Sequence, residues 1–312
     1  MILFAIIYII VYYCNMINIS KESNGLILLQ YLFSRGKRIF TTKDALIAAK
    51  DINIPVESVN IILSRLTKRK IIYRLKRSLY TSVGLLGELD EIHPFAISAY
   101  LVQPCAISHW SALQYHGLTE QIPLIITAST PMRVYTPSMR EGHAIKDHLK
   151  HAWLINNIRY EYVTIQQKHF ELGEKKLGLE KIWIDPHFQI KITDKERTII
   201  DLFAHSKIFG GMYEVLHILE NSLSAINIEQ LVRYVQLYHV KSVAKRIGWS
   251  LEQFGIENKY LQPLVNIQLT SYCLLDPTRT ATGLYDTKWM IQNNLEQGSK
   301  NGNSEQTTRN KT

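Results

Sequence analysis

Apolar positions recur at helical intervals from Pro55 onward. Val56, Val59, Ile62, Leu63 and Leu66 are three or four residues apart and share one face. Proline suits a first turn, because its missing N–H would find no helical partner there. The opposite face carries Ser58, Ile61, Ser64, Arg65 and Lys68, and the helix runs into Arg69 and Lys70. The period then changes from 3.6 to 2. Ile71–Leu75 and Leu79–Val83 are β-prone runs on either side of Lys76-Arg77-Ser78, which predicts a hairpin closed by a three-residue turn.

Upstream, Leu26, Leu29, Leu32 and Phe33 predict a helix over 20–34, with Ser20 or Ser23 as cap and Gly36 as its stop. Ile39-Phe40 is a short extended piece. Thr41 or Thr42 caps a helix from Lys43 to about Lys50, with Ala45, Leu46 and Ala49 inward, and 51–54 turn into the next helix. Helix, strand, helix, turn, helix and hairpin is the order of a winged helix-turn-helix. The plainer alternative is an amphipathic helix and hairpin with a solvated basic face.

Charge sharpens the choice. The chain carries +9 over 312 residues. Between Met16 and Leu85 there are 13 cations against 4 anions, whereas residues 86–312 hold 23 of each. The whole excess therefore sits in one small module, which points to a polyanion partner for that module alone. Ser58, Ile61, Ser64, Arg65, Lys68 and Arg69 on the helix, with Arg74, Lys76 and Arg77 on the hairpin, are the candidate DNA-binding residues. Hydroxyls, cations and one aliphatic group suit base edges and phosphates in a major groove.

The expected fold class is α+β, with the winged module followed by a larger mixed α/β domain that ends in a helical region. The expected domains are a doubtful extension at 1–15, the winged domain at 16–88, a second domain at 89–291 and a disordered tail at 292–312. The apolar run 1–13 is too short to span a bilayer and lacks secretory flanks, so Met16 is the expected natural start. A membrane anchor or a packed segment is the alternative. A polar linker around Glu88–Glu91 leads to a helix over 94–102 and another from Ser108 to His116, stopped by Gly117. Strands are expected at 124–128, 132–135, 159–166, 180–184 and 189–192. A capping box over Thr193–Glu196 opens a helix, and helices follow at 212–221, 228–238 (capped by Asn227) and 241–254. Three widely spaced cysteines, Cys14, Cys105 and Cys273, indicate a reducing compartment with no disulfide framework and no thiolate zinc site.

The string Ile107–Gln121, ISHWSALQYHGLTEQ, resembles the AbiEi-type antitoxins of type IV toxin–antitoxin (abortive infection, phage defence) systems. Supporting strings are RSLY at Arg77–Tyr80, HPFAISAYL at His93–Leu101 and KITDKERTIIDLF at Lys191–Phe203. The resemblance implies an N-terminal DNA-binding domain and a larger antitoxin domain. It also implies autorepression through an inverted repeat in double-stranded operator DNA, and a neighbouring nucleotidyltransferase toxin that the protein counters. The family usually has glycine where this chain has Ser78. His109 and His116 are expected to be structural, hydrogen-bonded histidines. A cytoplasmic, non-enzymatic protein without cofactor or membrane partner is the resulting expectation.

One enzymatic alternative is a Mg²⁺-dependent nuclease delivered by the winged module. Asp147 with Glu174 and Lys176, or Asp185 with Lys191, would supply its acid and E-x-K pattern, although 172–178 reads as an exposed turn. A zinc site among His143, His148 and His151 is a weaker possibility than a solvated loop.

Overall fold

The computed structural model describes residues 24–82, 92–136 and 152–295. The expected start-site extension, the caps Ser20 and Ser23, the polar linker, Asp147 and the three loop histidines lie outside the described residues. Contacts divide the chain into two units. The first comprises 1–107, 124–164 and 181–191, and the second comprises 108–123, 165–180 and 192–312.

The first unit contains the winged module. Helix α1 (Asn24–Ser34), strand β1 (Ile39–Thr41), α2 (Thr42–Asp51), α3 (Val59–Lys68), β2 (Ile72–Lys76) and β3 (Leu79–Ser82) follow in the expected order. Thr41 and Asp44 form a reciprocal capping box at the start of α2. Burial of Asp44 favours its neutral form, but its Thr41 bonds and Lys37 at 3.1 Å outweigh this and hold the carboxyl below its ordinary pKa. The three strands pair antiparallel in the order β1-β3-β2. Leu28, Leu29, Leu32, Phe40, Ala45, Ala49, Val59, Leu63, Leu66 and Ile72 fill one core beneath them. Gly25 permits the close approach of α1 to α3, since a Cβ there would lie 3.3 Å from Ile62 and Leu66.

The same unit holds most of a six-stranded sheet of order β6-β7-β5-β4-β9-β8. Its strands are β4 (Ala106–Ile107), β5 (Ile125–Thr130), β6 (Ala152–Ile155), β7 (Ile158–Thr164), β8 (Leu179–Asp185) and β9 (Phe188–Thr193). β5 and β7 run parallel, while β4–β5 and β6–β7 are antiparallel. Helix α4 (Pro94–Leu101) is capped by the His93 imidazole, which accepts the Phe95 N–H at 3.1 Å. It is tied to the sheet by the buried Tyr162 hydroxyl, which donates to the Ser98 carbonyl at 2.7 Å. Residues 132–135, expected to be extended, form no strand. β4 and β6 were not anticipated, being only two and four residues long.

The second unit is built on α5 (His109–Tyr115), α6 (Gln167–Phe170), α7 (Lys195–Ala204), α8 (Met212–Ser222), α9 (Ile228–Tyr238), α10 (Lys241–Gln253) and α11 (Asn258–Val265). Gly117, at φ +67, stops the turn after α5 as expected. The opening of α7 departs from the expected capping box. Asp194 is the cap and accepts the Arg197 N–H, whereas Glu196 reaches instead to the Asn227 N–H and the Gln230 amide at the start of α9. The C-terminal region is not wholly helical. β10 (Cys273–Leu274), β11 (Leu284–Asp286) and β12 (Ile291–Asn293) form a sheet of order β10-β12-β11. The ordered chain consequently extends past Gln292, where the sequence suggested a tail: Asn294 and Leu295 are buried, and Asn294 accepts the Asp276 N–H. Residues beyond 295 lie outside the described set.

A charged group occupies the middle of this unit. Arg197 donates through Nε to Asp201 at 3.0 Å, with both side chains essentially inaccessible, and the guanidinium lies over the Tyr238 ring. His205 and His109 lie edge to face beside them. Complete burial pushes the His109 imidazole down to about 4, with Asp201 opposing and His205 and Arg197 reinforcing the shift. Burial also lowers His205. A base held neutral in the fold takes up its proton more readily once unfolded, where its ordinary value is about 6.5. Stability is therefore complete above about pH 6.5 and declines as pH falls toward 4. Denaturant midpoints measured across that window should fall with pH, and His109→Asn, which tolerates the left-handed φ of +54 at this position, should flatten the slope.

Candidate nucleic-acid interface

A left-handed Asn53 (φ 56) turns the chain out of α2, and the Ile54 N–H returns to the Ala49 carbonyl at 2.8 Å. Pro55 caps a short 3-10 turn, Val56–Ser58, that leads directly into α3. Val59, Ile62, Leu63 and Leu66 are buried on one face of α3, as the spacing predicts. Ser64, Arg65 and Lys68 are exposed on the other, and Ile61 stands 55% exposed among them. Ser58 is half-buried, and its hydroxyl donates to the Pro55 carbonyl at 2.7 Å.

After α3, Arg69 caps the helix and Lys70, at φ 56, reverses the chain into β2. Both are exposed. The loop between β2 and β3 is shorter than expected. Lys76 pairs with Leu79, leaving Arg77 and Ser78 as a two-residue turn. Ser78 takes φ 61, the left-handed backbone in which glycine is the easier occupant. An irregularity between Arg74 and Lys76 shifts the register, so that Tyr73 and Arg74 are both exposed while Leu75 is buried. Arg74 donates weakly to the Lys76 carbonyl at 3.4 Å.

Lys76 departs from the rest of the expected set. It is half-buried, and its ammonium donates to the Leu101 carbonyl at the end of α4, 2.5 Å away. Tyr73 and Lys70 join the exposed set instead. Lys70 was visible as part of a basic run, and Tyr73 faces outward by simple alternation with the buried Ile72; the break in alternation comes at Arg74, next to the register shift.

The electrostatics follow from the placement of the few acids. Residues 24–82 carry twelve cations and three anions. Asp44 pairs with Lys37, Asp51 accepts the Tyr31 hydroxyl at 2.9 Å, and Glu57 is exposed. Among the described residues, no ion pair or hydrogen bond engages the side chains of Arg65, Lys68, Arg69, Lys70 or Arg77. A convex helix face and an adjacent hairpin thus present uncompensated positive charge to solvent, which is what a phosphate backbone neutralises.

Residues 28–83 match the family model described as transcriptional regulator, AbiEi antitoxin. The AbiEi resemblance holds over the winged module. The match supports a role as a transcriptional regulator or antitoxin. No curated protein matches the sequence. Among solved structures, the chain resembles the Rv2827c protein from Mycobacterium tuberculosis at 12% identity, with a TM-score of 0.52 over 85% of this chain and 90% of that one. At that identity the likeness extends to the fold.

The other strings that resemble AbiEi antitoxins lie outside the matched span, and the second unit brings two of them together. The His116 ring bonds the Thr193 carbonyl at 2.6 Å, and the Trp110 indole donates to the Ile208 carbonyl at 3.1 Å. These residues act as packing and hydrogen-bonding groups, with Leu113 and Leu118 in the core. The candidate E-x-K residues Glu174 and Lys176 are exposed, and Lys176 pairs with Glu171. Asp185 accepts the N–H groups of His187 and Phe188 within a tight turn. No helix among the described residues is long and apolar enough to cross a membrane.

The Ser78 backbone gives a direct test of the wing geometry. Left-handed backbone costs a side-chain-bearing residue about 1–2 kcal/mol, and glycine loses part of that gain to chain entropy. Ser78→Gly should therefore stabilise the module by roughly 0.5–1 kcal/mol in a denaturant titration.

Proposed function

We propose that this protein is a cytoplasmic, non-enzymatic DNA-binding antitoxin of a type IV toxin–antitoxin system. Its winged domain, residues 16–88, represses its own operon by binding an inverted repeat in double-stranded DNA. Residues 89–291 counter a nucleotidyltransferase toxin. The observation that carries the first part is the exposed, unpaired cationic set on α3 and the wing, on a module that matches a family of regulators. The neutral charge balance of residues 86–312 supports a separate task for the remainder.

Roles divide by position. Arg65, Ser64 and Ile61 project from the middle of the exposed face of α3, where base edges come within reach. An arginine bound in bidentate fashion to guanine discriminates by about 1–3 kcal/mol. Ser58 belongs to the helix entrance, its hydroxyl already bonded. Lys68, Arg69 and Lys70 at the end of α3, with Arg74 and Arg77 in the wing, meet phosphates. The nuclease alternative is not favoured by the family match.

Binding titrations on the duplex upstream of the protein's own reading frame, and on a scrambled duplex, test this assignment. Arg65→Ala should lose affinity on the first far more than on the second. Arg77→Ala should weaken both equally and lower the salt slope by about one. Equal losses for Arg65→Ala would remove its base-reading role. Antitoxicity should survive both substitutions when the protein is co-expressed with the neighbouring toxin and growth is followed. Loss of rescue in either variant would join the two activities.

A further inference from the structure

We propose that Lys76 is a positioning residue that sets the pose of the wing by bracing it against α4, rather than a phosphate contact; this rests on the DNA-binding reading above. The wing tip is a two-residue turn with a left-handed serine, a conformation that a free hairpin holds poorly. It is held from two sides. On one, the Ser78 carbonyl accepts the Thr42 N–H at 3.0 Å, at the first residue of α2. On the other, the Lys76 ammonium donates to the Leu101 carbonyl at 2.5 Å.

Leu101 is the last residue of α4. Carbonyls of a final helical turn have no intrahelical partner and gather partial negative charge. A lysine ammonium satisfies one and complements the other. The register shift between Arg74 and Lys76 accompanies the contact: past it Leu75 is buried, and the half-buried Lys76 pairs with Leu79. Helix α4 is itself anchored, since the Tyr162 hydroxyl of β7 donates to the Ser98 carbonyl. A continuous path therefore runs from the sheet through α4 and Lys76 to the wing tip. The arginine beside it, Arg77, then meets DNA at a height and angle fixed by the sheet.

The experiment uses the full chain with Lys76→Met, Lys76→Arg and Arg77→Met, titrated on the same upstream duplex at several salt concentrations. Backbone hydrogen exchange of residues 77–82 is followed without DNA. A wing that holds its binding pose a tenth of the time binds about tenfold more weakly. Lys76→Met should show a loss of that order with an unchanged salt slope and faster exchange in the wing. Lys76→Arg, which keeps a cationic donor, should restore both. Arg77→Met should lower the slope and leave exchange alone. If Lys76→Met lowers the slope by about one and exchange is unaffected, Lys76 is a phosphate contact and the proposal is overturned. It is also overturned if neither affinity nor exchange changes. If the wild-type chain shows no salt-dependent binding, the DNA reading fails, while the exchange data still decide the brace.

Discussion

The organisation of the winged module depends on burial of the apolar stripe of α3. Val59, Ile62, Leu63 and Leu66 enter a core shared with α1, α2 and β2, each contributing about 1.5–3 kcal/mol relative to exposure. That burial leaves the helix one rotational setting. Ser64, Arg65 and Lys68 face solvent because the residues a half-turn away cannot. The cationic surface is thus a consequence of the hydrophobic one, set in place by the fold itself.

The second unit is organised around an expensive feature. Arg197 and Asp201 are both buried, and withdrawing two ions from water costs several kcal/mol per ion before their attraction is counted. Their position on α7, packed against His109, His205 and Tyr238, joins segments distant in sequence: the helix after Ser108, the capping turn at Asp194 and the end of α9. Such a centre is weak evidence for net stability. It does make the packing of these segments mutually dependent, since losing either charge strands the other.

Local signals carried most of what could be read from the sequence. The two faces of α3, the Gly117 stop and the helix 228–238 with its Asn227 cap all rest on contacts within one turn of the residue concerned. What escaped depends on distant partners. Glu196 has capping-box spacing, yet two donors from α9 claim its carboxylate. Lys76 sits in a basic run and looks like its neighbours, but the carbonyl that takes its ammonium lies 25 residues on. Strands β4 and β10, of two residues each, have too little length to show a period, and the register shift in β2 leaves no mark in residue type. Among the proposed DNA contacts, the exposed cations of α3 were therefore the most readable, and the geometry of the wing the least.

The irregularity in β2 has a bearing on solubility as well as on recognition. In the order β1-β3-β2, β2 is an outer strand among the described residues, the position from which a sheet can template pairing with another chain. A broken register and the exposed charge of Arg74 are devices by which natural sheets blunt such an edge. The wing can therefore keep an outer strand without offering a flat edge for a second copy to extend. Electrostatic repulsion between like edges strengthens the effect at low ionic strength and fades as salt screens it. A single positively charged strand of broken register is in this way guarded against self-association by the same residues that the DNA-binding proposal places beside phosphates.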